Sequence, residues 1–76
     1  MPHLDIKSYP KHLTQQELDE FRQALLNVVT HHLKVAETDI SIRFTEVPPE
    51  KWKTEVWAKE IVPHMADLLK KPGYKM

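Results

Sequence analysis

Apolar and polar residues alternate at the start of the chain. Leu4 and Ile6 point one way, and His3, Asp5 and Lys7 point the other. A period of two with one apolar face predicts a strand from Leu4 to Ser8. Pro10 ends it by pushing Tyr9 away from helical angles. The period then changes. Leu18, Phe21, Leu25, Val28 or Val29, and Leu33 form one helical stripe. Thr14 and Glu17 have the spacing of a capping box, and Leu13 and Leu18 fall at the positions of a hydrophobic staple. The helix is expected to run to about Lys34, with Lys and His residues near its end to suit the helix dipole. Alternation returns from Ile40 to Glu46, with Ile40, Ile42 and Phe44 on the apolar face and Ser41, Arg43 and Thr45 on the other. Strand, long helix, strand predicts a parallel pair joined by a right-handed crossover.

The second half is more broken. Val47-Pro48-Pro49 interrupts the pattern, and Pro49 suits the first position of a short helical turn through Trp52. From Glu55 to Lys70 the residues Val56, Trp57, Ile61, Met65, Leu68 and Leu69 keep a helical phase, which Pro63 should kink or split and Pro72-Gly73 should stop. The expected architecture is α/β (α+β), a β-α-β unit with parallel strands and a C-terminal helical extension. Two strands are not self-sufficient and leave open edges. Pairing with a second copy would complete a four-stranded sheet, so a homodimer is expected.

Composition sharpens this picture. The chain has 76 residues, which is one small domain whose core alone is marginal. It has no cysteine, so disulfides and thiolate metal sites are excluded and a partner copy is the remaining supplement. Eleven basic residues balance eleven acidic ones. A formal charge of zero provides no long-range attraction for nucleic acid or an anionic membrane, and neither is expected as a partner. No apolar run has the length of a membrane span, and a cytoplasmic location is expected. The single glycine rules out phosphate-cradling glycine loops.

Few residues invite chemistry. His31 and His32 are adjacent on a helix and point about 100° apart, a poor arrangement for one metal ion. The other histidines, His3, His12 and His64, lack acidic or cysteine partners at motif spacing, so no metal site is expected. Trp57 is in phase with the second helix and reads as core. Trp52 follows a proline break, where loops place either core or pocket residues. Arg43 shares a face with His3 and Lys7, where it is either solvated or able to receive a carboxylate bidentately. Pro2 on spacing alone is a strand-opening proline. Once Met1 is removed, its ring nitrogen is a secondary amine. An α-amino group starts near ~8, closer to neutrality than lysine at about 10.4, and a general base works best near ambient pH. A prolyl amine is somewhat more basic and must be lowered by burial or like charge, which Lys7, Arg43 and an apolar pocket could supply.

These pieces together resemble the tautomerase superfamily, in particular the small Pro-first proteins grouped with 4-oxalocrotonate tautomerase. The resemblance spans the whole chain. It rests on Met1-Pro2 followed at once by a strand, the β-α-β core, Ser41-Ile42 through Thr45-Glu46, Trp52, and the tail Glu60-Ile61-Val62-Pro63 with Lys70-Lys71-Pro72-Gly73-Tyr74. The extended tail is similar to that of the dimeric, PptA-like branch. The resemblance implies the tautomerase fold, Pro2 as general base, Trp52 as the pocket aromatic, and no cofactor or metal. It also marks a departure. The two family positions that carry carboxylate-handling arginines fall here at His12, beside Lys11, and at Ser41, two residues before Arg43. A dicarboxylate is therefore not the expected substrate. Enols of small 2-oxo acids such as phenylpyruvate, and 2-hydroxydienoates, are, with His12, Lys11 or Arg43 holding the single carboxylate. The missing arginines leave an alternative: a catalytically weak member that keeps the fold as a binding or interaction protein.

Overall fold

The computed structural model covers residues 1–76 and begins its regular structure with β1 (His3–Ser8), followed by α1 (Gln15–Leu33) and β2 (Ser41–Glu46). The start of α1 is locally determined. Thr14 Oγ1 accepts from the Glu17 backbone N–H at 3.1 Å, and Glu17 Oε1 accepts from the Thr14 N–H at 3.0 Å. The expected capping box is thus present, and it satisfies two N–H groups that a helix start leaves free. At the other end Lys34 adopts a left-handed conformation (φ 55°) that closes the helix. A short 3-10 turn, Glu37–Asp39, leads into β2.

The strands pair in parallel as expected, with His3 opposite Ser41, Asp5 opposite Arg43 and Lys7 opposite Thr45. Two bonds extend the ladder beyond the strands. The Ser41 N–H donates to the Pro2 carbonyl at 3.2 Å, and the Val47 N–H donates to the Ser8 carbonyl at 2.8 Å. The helix stripe meets the apolar sheet face through Phe21 and Phe44, whose rings lie edge to face at 5.6 Å. Both strands reach within one residue of their expected limits.

The C-terminal half departs from expectation. Helix α2 (Pro49–Trp52) does not end at Trp52; it continues without a break as a π-helical stretch, Lys53–Ile61, and a 3-10 turn, Val62–His64. The Val62 N–H reaches back to the Trp57 carbonyl, the five-residue step of a π-helix. Regular helix does not continue to Lys70: residues beyond His64 form turns and bends. Pro63 explains the stop, since it has no N–H to donate to the preceding turn. The wider π step also changes the buried face. At about 100° per residue an α-helix would put residue 61 opposite residue 52; at the roughly 80° of the wider π turn they fall on one side with Val56. Trp52, Val56 and Ile61 accordingly line one groove beside β1.

The protomer is open. Only Val29, Val47 and Val56 are buried. Its accessible surface is 6067 Å², against roughly 4,900 Å² for a compact monomer of its mass. The radius of gyration is 14.2 Å, against about 11 Å for a compact chain of this length. Val28, Leu33, Val62 and Leu69 are exposed, and each strand keeps one unpaired edge. No helix is long and apolar enough to cross a membrane.

Candidate active site

The residues proposed for chemistry lie at two ends of β1. At the N-terminal end is Pro2, half-buried, with its carbonyl tied to Ser41. Beside it, His3 Nδ1 and Ser41 Oγ are hydrogen-bonded at 2.6 Å. Ser41 is thereby occupied with its cross-strand neighbour. Arg43, two residues on, is exposed opposite Asp5 and takes part in no ion pair. The Lys7 ammonium is not a neighbour of Pro2. The Lys7 backbone is five positions along the same strand, a rise of about 16 Å, and its ammonium contacts Glu60 at 2.9 Å and Asp5 at 3.2 Å. The Glu60 hydrogen bond, then that of Asp5, raises the Lys7 pKa above its ordinary 10.5. Within one protomer, then, the Lys7 charge is matched by two carboxylates.

At the C-terminal end of β1 an aromatic cluster forms. Tyr9 meets Trp52 edge to face with ring centroids 5.2 Å apart. Trp52 Nε1 donates to Tyr74 Oη at 3.1 Å, and the Tyr74 ring lies 5.5 Å from Trp57. Tyr9, Trp52 and Tyr74 flank a cleft of about 550 Å³ that also receives Lys7, Lys11 and Lys75. The loop that carries Lys11 is held by its backbone: the Lys11 N–H donates to Glu46 Oε2 at 2.7 Å. His12 follows in a left-handed conformation (φ 54°), a region that histidine enters more readily than most residues. That reversal turns the chain from β1 toward the Thr14 cap.

Of the candidate site residues, the structure brings Lys11 and Trp52 to one cleft. His12 neighbours Lys11 in sequence but does not line that cleft, and Ser41 and Arg43 sit on β2. Pro2 lines neither of the clefts that Trp52 lines. The six residues of β1 separate it from Tyr9, a distance of about 20 Å. Sequence reasoning missed Tyr9, Tyr74 and Lys75. Tyr74 is 22 positions from the indole it contacts, and only the path of the tail past β1 joins them.

No protein-family model matches the chain. Full-length relatives do. The chain is 41% identical over 76 residues to a protein named Tautomerase PptA from Cronobacter sakazakii, covering all of both chains. Proteins of the same name from Klebsiella pneumoniae (strain 342) and Escherichia coli (strain SMS-3-5) are 42% and 40% identical, again over the whole of each. With the parallel β-α-β core and Pro2 directly before β1, this similarity shows that the chain belongs to the PptA tautomerases, a branch of the tautomerase superfamily similar to 4-oxalocrotonate tautomerase.

Proposed function

We propose that this protein is a cofactor-independent keto–enol tautomerase for small monocarboxylate enols, with phenylpyruvate enol and 2-hydroxydienoates as the substrate class. The full-length similarity to proteins named tautomerases carries the reading. Pro2, freed by loss of Met1, is the base. Its nitrogen takes the enol hydroxyl proton as the C–O bond becomes a carbonyl, and the resulting ammonium returns a proton to the adjacent carbon. The charge is restored and nothing is oxidised. The prolyl ring holds the nitrogen in one geometry, which favours transfer along a defined path.

The working unit in this reading is a homodimer. The protomer exposes about 1,200 Å² more than a compact chain of its mass, and a standard interface buries about 800 Å² per partner. A two-fold pairing of β1 with its copy would be antiparallel. It would lay the Pro2 end of one strand beside the Tyr9 end of the other, so that Pro2 meets the partner's Trp52. The separation of these two residues within one protomer favours such a site between subunits.

The test is to replace Pro2 with Ala in processed protein and follow the ultraviolet change as enol-phenylpyruvate ketonises. A fall of about 10²–10⁴ in kcat/KM is expected for loss of a positioned general base; unchanged activity would remove Pro2 from the mechanism. The arginine-free positions His12 and Ser41 favour the second reading, a binding protein on this fold. A processed dimer no faster than buffer with a panel of 2-oxo acid enols would support it instead.

A further inference from the structure

The cleft at the C-terminal end of β1 has a one-sided composition. One wall is aromatic, built from Tyr9, Trp52 and Tyr74; the remainder is three lysines with Ser8 and Met76, and no aspartate or glutamate side chain is among them. The lysines are not equivalent. Lys7 is matched by Glu60 and Asp5. Lys11 and Lys75 form no ion pair with any carboxylate of the chain. Two unmatched ammonium groups attract one anionic group, and a flat aromatic wall suits a flat apolar body. Trp52 is also fixed in place: Tyr9 packs on it and the Tyr74 hydroxyl accepts its N–H.

We infer that Lys11 and Lys75 together receive the carboxylate of an aryl-carboxylate ligand whose ring lies along Trp52, and that Tyr74 is a positioning residue that holds Trp52 for it. This deepens the tautomerase reading and rests on it only for the ligand's being an enol or 2-oxo acid. The tail residues Tyr74 and Lys75 thereby become specificity determinants, and the arginine-free positions His12 and Ser41 need not hold the carboxylate.

Binding of two unreactive probes to the intact protein tests this without any step at Pro2. Phenylacetate has the aryl group and the charge, and phenylacetamide has the same shape without the charge. Both tryptophans belong to the aromatic cluster, so their fluorescence reports occupancy. Phenylacetate is expected to bind at least about tenfold more tightly than phenylacetamide, the scale of a hydrogen bond to a charged group. Lys11→Ala and Lys75→Ala should each weaken phenylacetate by roughly five- to tenfold and leave phenylacetamide unchanged. Tyr74→Phe should shift the tryptophan emission and weaken both probes alike, since it acts through the indole and not through charge. Equal binding of the two probes, or lysine variants within about twofold of the parent, overturns the carboxylate site; an unshifted emission and unaltered binding in Tyr74→Phe overturn its positioning role. A protein without tautomerase activity that still discriminates the probes leaves this site standing and defeats the enzymatic reading. An active protein indifferent to Lys11 and Lys75 does the reverse.

Discussion

Mixing two disabled variants tests whether the site forms between subunits. Pro2→Ala removes the proposed base and keeps the aromatic wall; Trp52→Ala keeps that base and removes the wall. About 20 Å of β1 separates Pro2 from the Tyr9–Trp52 contact in one protomer, too far for both to touch one small enol. If a site uses Pro2 of one subunit and Trp52 of the other, a mixed dimer holds one site with both residues intact and one with neither. After random exchange of equal amounts, about half the dimers are mixed, so about a quarter of all sites are rebuilt. Pro2→Ala alone should fall about 10²–10⁴-fold. Trp52→Ala should fall about tenfold or more, from loss of roughly 1.5–3 kcal/mol of aromatic contact. The mixture, equilibrated after mild denaturation and assayed by enol-phenylpyruvate ketonisation, should therefore approach a quarter of parental activity. A rate equal to the mean of the two parents, with exchange verified by native mass spectrometry, would show that the residues do not share a site across the interface.

The remaining predictions concern stability and pH. Thr14→Ala removes the hydroxyl that caps α1, and should cost about 1 kcal/mol. Thermal unfolding at fixed protein concentration should show it as a fall of roughly 4–8 °C in Tm. The Lys7 pKa is raised by Glu60 and Asp5, so its contribution is complete below the ordinary 10.5 and disappears as pH rises through the higher folded-state value. Glu60→Gln should thus destabilise by a few tenths of a kcal/mol at pH 8, as partly exposed pairs do, and make no difference once the pH is well above the raised folded-state value. The Glu17 pKa is lowered by the Thr14 backbone and side chain, and that of Asp19 by Gln15 and Arg22. Both contribute stability above the ordinary carboxylate range that is lost as pH falls through their depressed values. Acid unfolding of a Glu17→Gln, Asp19→Asn double variant should therefore be flatter with pH than that of the parent, and a parallel profile would contradict the assignment.

The first half of the chain was legible because its determinants are local. Thr14 and Glu17 sit three positions apart, and the alternation of Leu4 with Ile6, and of Ile42 with Phe44, needs no distant partner to be read. The second half was not legible for the opposite reason. Val56, Trp57, Ile61 and Met65 satisfy a helical period on paper, but the stretch adopts π steps that bring Ile61 to the face of Trp52. Sequence periodicity at 3.6 residues per turn has no means of registering that. The same holds for the site. Pro2 and Trp52 could be named individually from the resemblance, and Lys11 was one of three cations weighed for the carboxylate. That Lys11 shares a cleft with Trp52 and Arg43 does not depends on how the Tyr9–Leu13 loop is anchored by Glu46 and on where the tail passes.

Pro2 itself depends on a single covalent fact. While Met1 is attached, the Pro2 nitrogen is an amide, its lone pair delocalised into the Met1 carbonyl, and it has no basicity at neutral pH. Met1 is 95% exposed, so the packing of the protomer places nothing over the bond whose cleavage would release the amine. Cleavage replaces a neutral amide with an amine whose pKa starts near ~8. Activity should then scale with the processed fraction of a preparation, not with total protein. Intact-mass spectrometry gives that fraction, and ketonisation rates across preparations of graded processing should extrapolate to the buffer rate at zero removal of Met1. A fully Met1-bearing preparation with parental activity would exclude the Pro2 nitrogen as base and force the proton transfer onto another group near the N-terminal end of β1, where the hydrogen-bonded His3 and Ser41 side chains lie.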